Sequence, residues 1–277
     1  MSHHLDFWIT QAINEIGKTY GDTVSVWEKG KSLTKFGRTG NADSGVLTTV
    51  GEFQGTVVNE TFVSTNIIDA VVSSSGSDTQ TVQIEGHTID GNGLLTFVTQ
   101  EVTLTGQTPV ALPTPMARAN RIYVKSSGTF NSPQSAVVGN IAVYDDTDGA
   151  TTGVPDTAAA TKLMLTAGLT SSKKCATSIS NNDYWILDAF HCNVEESGPT
   201  AAADFHIEIR DVANGGVWRR LGAEMSLNSS GQSHGDEEFK PFFIVPKNHD
   251  VRLIAISDTA NTFVSGEIDG VLAKVIS

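Results

Sequence analysis

The chain is short of positive charge. Its 277 residues hold 18 Lys and Arg against 31 Asp and Glu, a formal charge of −13. No Lys or Arg occurs from Thr39 to Ala117, a span with eight acids, and a second bare stretch runs from Ser126 to Thr161. Nucleic-acid binding needs clustered cations that displace counterions, so the composition argues against it. An anionic membrane surface is disfavoured for the same reason. No segment approaches the ~20 apolar residues of a membrane span. The opening Met1-Ser2-His3-His4 lacks the basic start and following apolar run of a secretion signal, so synthesis and folding in a cytosol are expected. Cysteine is scarce too. Cys175 and Cys192 fall on separate predicted strands, and two free buried thiols are expected over a disulfide.

Small hydroxyl residues are abundant, with 31 Thr, 25 Ser and a further 26 Gly. This mixture suits strands and turns and is poor for helix. With 39% apolar residues the chain can still bury a core. The expected fold class is all-β: two antiparallel β-sandwich or jelly-roll-like domains, preceded by a short N-terminal α-helix and an extended arm.

The helix is read from Leu5, Trp8, Ile9, Ala12, Ile13 and Ile16, whose spacing places them on one face. Asp6 can cap its start, and Gly17 is read as its stop. That face either packs on its own domain or docks on a neighbouring subunit. Residues 18–38 form the basic region, with Lys18, Lys29, Lys31, Lys35 and Arg38 against Asp22 and Glu28. It reads as a solvated arm, with an anchor onto an acidic partner as the functional alternative.

After Thr39 the text is β. Candidate strands of the first half are 67–73, 79–87, 94–104, 117–126 and 137–144, divided by turn signals such as Asp90-Gly91-Asn92-Gly93. Those of the second half are 163–170, 175–180, 184–194, 203–212, 217–227, 238–245, 251–257 and 263–275. Residues 145–160 hold few large apolar groups and read as a linker or long loop. The expected division is therefore 1–45 helix and arm, 46–150 first sandwich, 151–162 linker and 163–277 second sandwich.

Few motifs carry chemistry. Gly231-Gln232-Ser233-His234-Gly235 fits G-x-S-x-G, but a nucleophile elbow needs a strand before it and a helix after it, and the sequence continues as strand. His191 and Cys192 face opposite sides of a strand, with no second pair at zinc spacing. Asp145-Asp146-Thr147-Asp148-Gly149 offers hard oxygens without EF-hand spacing and reads as a solvated acidic loop. No catalytic residue, metal or cofactor is expected, and the chain is read as a non-enzyme.

Several stretches resemble a loose group of virion structural proteins of tailed bacteriophages, many from aquatic and marine hosts. They are Lys35-Phe36-Gly37-Arg38-Thr39, the strand Ile67–Ser75, Thr81-Val82-Gln83-Ile84-Glu85-Gly86, Glu101–Val110, Arg118–Val124, Ala202–Arg210 and Ser229–His234. The resemblance implies a capsid decoration or cement protein in the virion, made in bacterial cytoplasm and working by repeated contact. Its expected partners are copies of itself, as a trimer, and the major capsid protein or other virion proteins. Contact residues are expected at Phe7, Trp8, Ile9 and Ile13 on the helix and at Lys29, Lys31, Lys35, Phe36 and Arg38 on the arm. A neck, tail or fibre component is the near rival. From another class, a carbohydrate or host-receptor binder would use Trp27, Trp185, Trp218 and Tyr184. A hydrolase would use Ser233.

Overall fold

A computed structural model describes residues 2–26, 33–42, 44–51, 62–125, 136–172, 174–195 and 201–276. The chain divides into two compact units, Met1–Val50 with Cys175–Ser277, and Gly51–Lys174. The first unit is thus assembled from both ends of the chain, where the sequence suggested two consecutive domains.

The first unit begins with α1 (Ser2–Tyr20), β1 (Val24–Val26), β2 (Lys35–Ala42) and β3 (Thr48–Thr49). The helix runs through Gly17, the expected stop, to Tyr20, and the next glycine, Gly21, takes the positive φ that closes it. The second unit follows with β4 (Ile68–Ser73), β5 (Thr81–Ile89), β6 (Leu95–Thr103), β7 (Val110–Met116), β8 (Arg118–Val124), β9 (Ile141–Tyr144), β10 (Ala150–Thr151), β11 (Val154–Pro155) and β12 (Thr161–Leu165). The chain then returns to the first unit for β13 (Ala176–Ser178), β14 (Asp183–Glu195), β15 (Ala202–Asp211), β16 (Arg219–Asn228), β17 (His234–Val245), β18 (His249–Ser257) and β19 (Thr262–Val275).

The second unit stacks a β12-β9-β4-β7 sheet on a β6-β5-β8 sheet. Val71, Val143, Leu163 and Leu165 from one meet Val82, Ile84, Val102 and Ile122 from the other. The expected linker at 151–162 lies inside this unit. Its residues form the β10–β11 hairpin, a 3₁₀ turn at Ala158–Ala160 and the start of β12. Ala160 covers Ala70, Val72, Ala142 and Tyr144 on the back of the first sheet, so small side chains there reflect close packing. Asp78 ties the loops together. It accepts hydrogen bonds from Ser73 Oγ (2.5 Å) and from the backbone N–H groups of Val138 (2.8 Å) and Gly139 (2.9 Å). Burial alone would raise its pKa, but these bonds outweigh burial and hold it below the usual carboxylate range.

In the first unit, β1 and β2 both line one edge of a β19-β14-β17 sheet, and β3 joins a β13-β18-β15-β16 sheet. The two sheets face each other through Trp185, Phe190, Phe239, Val264 and Ile268 on one side and Phe205, Ile207, Leu227, Val251 and Leu253 on the other. Both units are therefore antiparallel β sandwiches, and α1 is the α-helix of the described residues.

The segment expected as a free arm contributes an edge strand. β2 pairs with β19 from Lys35↔Ile268 to Thr39↔Val264. Lys35, Gly37 and Thr39 point inward and are buried, while Phe36 and Arg38 point outward. A Cβ on Gly37 would lie 2.1 Å from the carbonyl oxygen of Val50 and 2.6 Å from the amide nitrogen of Cys175, so only glycine fits there. Cys175 Sγ donates to the Lys35 carbonyl at 3.0 Å. Both cysteines are free and buried, and burial pushes the Cys192 thiol pKa far up, so both serve as packing atoms.

Candidate interaction surface

The outer face of the β19 sheet owes its chemistry to one irregularity. Asp188 is an extra residue in β14: Leu187 pairs with Gly270 and Ala189 with the adjacent Asp269. This bulge flips the strand's alternation. Before it, Trp185 and Leu187 point to the core and Tyr184 and Ile186 point outward; after it, Phe190, Cys192 and Val194 point inward. His191, Asn193 and Glu195 are thereby turned outward.

The outer face then splits into two halves. One is covered by α1. Ala12, Ile13 and Ile16 pack on Tyr184, Ile186, Phe242, Ile244, Ala273 and Val275. The helix thus packs on its own unit. Trp8 meets Phe242 edge to face at 6.3 Å between centroids, and Tyr20 lies over Tyr184 at 5.3 Å. Tyr184 donates to Asp22 at 2.5 Å, and Lys247 Nζ reaches the same carboxylate at 2.6 Å, fixing the turn after the helix. These two partners hold Asp22 below the usual carboxylate range. Phe7 stays 55% exposed, at the outer side of the helix, with Trp8 and Ile9 half-buried.

The other half is polar and not covered by α1, and the strand register orders it into rows. Across β2, β19, β14 and β17 the first row reads Phe36, Glu267, His191, Asp236. The second reads Arg38, Ser265, Asn193, His234. Asp269, Ala189 and Glu238 align above the first row, and Phe263 pairs with Glu195 below the second. Rows two residues apart are spaced by roughly 7 Å. Phe36 and Phe263 are 39% and 40% exposed. The Phe263 ring lies against Gly40, where a Cβ would come within 2.5 Å of it. The face therefore presents five carboxylates and two phenyl rings, with Arg38 as its guanidinium. Arg38 is ion-paired to Glu195.

His191 sits between carboxylates. Its Nδ1 donates to Asp236 at 2.6 Å, and its Nε2 lies 3.3 Å from Asp269. A carboxylate at each ring nitrogen favours the protonated imidazole. Burial opposes that charge, but the bond to Asp236 and the charges of Asp236, Asp269 and Glu267 outweigh it, so the His191 pKa is raised. Glu267 is raised as well, first by burial and then by the charge of Asp269.

Of the residues the sequence singled out, Phe7, Trp8, Ile9, Ile13, Phe36 and Arg38 all belong to this one face, beside or above the β19 sheet. Lys35 belongs to the same strand but is buried on its inner side. Lys29 and Lys31 lie outside the described residues, as does Trp27. His191 was weighed only as a zinc ligand beside Cys192, and the carboxylates around it were not singled out, because they come from three strands and only the register brings them together.

No protein-family model matches the chain, and no curated protein matches it. Among solved structures it is similar to the N-terminal CBM22-1-CBM22-2 tandem domain from Paenibacillus barcinonensis Xyn10C. The identity is 15% over 92% of this chain and 97% of that one, with a TM-score of 0.24. It is also similar to the infectious bursal disease virus Gt strain structure, with 10% identity over 91% of this chain and 73% of that one and a TM-score of 0.22. At such scores neither likeness bears on what this chain does.

The remaining candidate chemistry is dispersed. Ser233 lies in the turn between β16 and β17, and a strand follows it. Trp185 and Tyr184, candidates for sugar stacking, are fully buried. Trp218 is half-buried, with the guanidiniums of Arg252 and Arg210 stacked at 4.0 and 4.9 Å from its ring centroid. Among the described residues no group of three or more His, Cys, Asp or Glu is placed to hold a metal ion. No helix among them is long and apolar enough to cross a membrane.

Proposed function

We propose that the chain is a structural component of a tailed-bacteriophage particle, a capsid decoration (cement) protein that acts as a homo-oligomer, a trimer, on the major capsid lattice. What carries this reading is the gathering of Phe7, Trp8, Phe36 and Arg38 onto the outer side of one broad sheet. These residues come from a helix and a strand separated by about fifteen residues or more of chain, yet they offer exposed aromatic and charged groups on a single face. Such a face suits repeated contact between rigid subunits. Contacts made only in the assembled state stabilise that state. The resemblance to virion proteins points the same way, and its segments supply β2, β4, β5, β8 and β15, the frame of both sandwiches.

The test is copy number in purified particles, measured by quantitative mass spectrometry. Hundreds of copies, comparable to the major capsid protein, are expected. Some 6 to 20 copies would move the protein to the neck or tail. Absence from particles would overturn a virion role.

A further inference from the structure

From the polar half of the β19 sheet we infer that this face takes a lysine- or arginine-bearing segment of a partner protein. The inference rests on reading the face as a contact surface, though not on the identity of the particle. Its basis is charge complementarity. Asp236, Glu267, Asp269 and Glu195 stand on three adjacent strands: Asp236 and Glu267 share the His191 row, Asp269 lies two residue steps to one side of it and Glu195 four to the other. The Arg38 guanidinium is already engaged by Glu195, and the His191 imidazole by Asp236 and Asp269. Among the described residues carboxylate is therefore in excess. Glu267, in the middle of the row, is crowded by Asp269 and by burial. An incoming cation would relieve that crowding.

The two exposed rings define the occupant further. Phe36 lies on β2, at the sheet edge beside Glu267, and Phe263 lies on β19 beside Glu195. A lysine or arginine crossing that edge lays its aliphatic stem on a phenyl ring and its charged head among the carboxylates. An acidic segment would meet like charge. A purely apolar one would desolvate these carboxylates and offer them no countercharge.

A fluorescein-labelled Lys-Ala-Lys-Ala-Lys-Ala-Lys peptide, titrated into the full chain at low ionic strength, tests the assignment. Saturable binding is expected, with amide shifts concentrated on β2, β19 and β14 in the unaltered protein. The double variant Glu267→Gln, Asp236→Asn should bind about tenfold more weakly, since rim charges contribute about 0.2–1 kcal/mol each and 1.4 kcal/mol is tenfold. The control Glu15→Gln, Glu101→Gln removes the same charge from exposed sites elsewhere and should bind as the unaltered chain does. Equal weakening in both double variants would show attraction to net charge alone and overturn the inference. So would equal binding of the Glu-for-Lys peptide, or amide shifts scattered over the molecule. Hundreds of copies per particle together with failed peptide binding would leave the structural role standing and remove this one.

Discussion

The two sheets of the first unit both carry a histidine among carboxylates on the face turned away from the core, and they are built in opposite ways. On the β18 sheet, charges of opposite sign are paired strand to strand. Arg252 donates to Glu208 through Nε and a terminal nitrogen, at 3.0 and 2.7 Å. Arg210 engages Asp250 at 3.2 and 2.6 Å, and Ser178 donates to the same carboxylate at 2.6 Å. Trp218 roofs both guanidiniums. His206, fully buried, bonds Glu208 through Nε2 at 3.2 Å, while its Nδ1 has no hydrogen-bond partner among the described residues. On the β19 sheet the carboxylates outnumber the cations among the described residues, and His191 remains partly open. The first ladder neutralises its own face, whereas the second keeps a net negative charge among the described residues, the feature on which the proposed contact rests.

The largest expected difference comes from deleting one partner on each face. Glu208→Ala strips a nearly buried guanidinium of its carboxylate, and breaking such a pair costs roughly 3–5 kcal/mol. The Trp218 stack still shelters Arg252, so a loss near the lower figure is expected in the denaturant midpoint. A loss under about 1 kcal/mol would mean that the roof, not the pair, holds the face.

The covered half of the β19 sheet gives the next largest effect. Ile16 is fully buried between α1 and the sheet. Ile16→Ala should cost roughly 2–5 kcal/mol by leaving a cavity. Phe7→Ala, on the exposed side of the same helix, should stay within about 0.5 kcal/mol. Equal losses would mean that Phe7 already packs on something in the isolated chain, which would count against its role as a contact residue.

Much of this frame was legible in the sequence. Every candidate strand from 67–73 to 263–275 corresponds to an observed one, because hydrophobic alternation and Gly, Asn and Asp turns are local signals. β7 was missed because Pro113 and Pro115 sit inside it. It lies at the edge of its sheet, where a missing N–H is tolerated. β2 was read as an arm because its polar, glycine-bearing text has no apolar stripe. Its place comes from the partner β19, more than two hundred residues away, and from the close approach at Gly37. The unit boundary was misplaced for the same reason, since chain return is invisible to local pattern. The helix face was readable residue by residue, whereas the acidic grid depends on the Asp188 bulge and on cross-strand register.

The two histidines give a smaller contrast that pH can expose. His206 has its pKa lowered, first by burial and then by the charge of Arg220, with the Glu208 bond opposing both. It stays neutral while the unfolded chain, titrating near 6.5, takes up a proton, so it withdraws stability as pH falls below that value. His191 has its pKa raised. Its contribution is complete below 6.5 and is lost as pH rises through its folded value. Between pH 5 and 8, His206→Gln should flatten the loss of stability on the acid side, and His191→Gln should flatten a decline on the alkaline side. Urea midpoints across that range measure both. The His191 effect should be the weaker and should fade with added salt, because 42% of that side chain is exposed and solvent screens it. Slopes of the same sign would remove the contrast between the faces.

The smallest effect belongs to the ion pair at the edge of the polar face. Arg38 and Glu195 are 47% and 29% exposed, so water already competes for both groups. Glu195→Gln should therefore cost less than about 1 kcal/mol, and most of that should vanish in 0.5 M salt. The same change frees the Arg38 guanidinium within the carboxylate row. It should weaken the lysine peptide more than it weakens the fold, because Arg38 then offers its charge to Glu267 and its neighbours in place of the incoming cation. Comparing urea midpoint with peptide affinity in this one variant separates the two properties. A drop in stability with unchanged affinity would make Arg38 and Glu195 part of the sandwich alone, and the contact surface would shrink to the rows around His191.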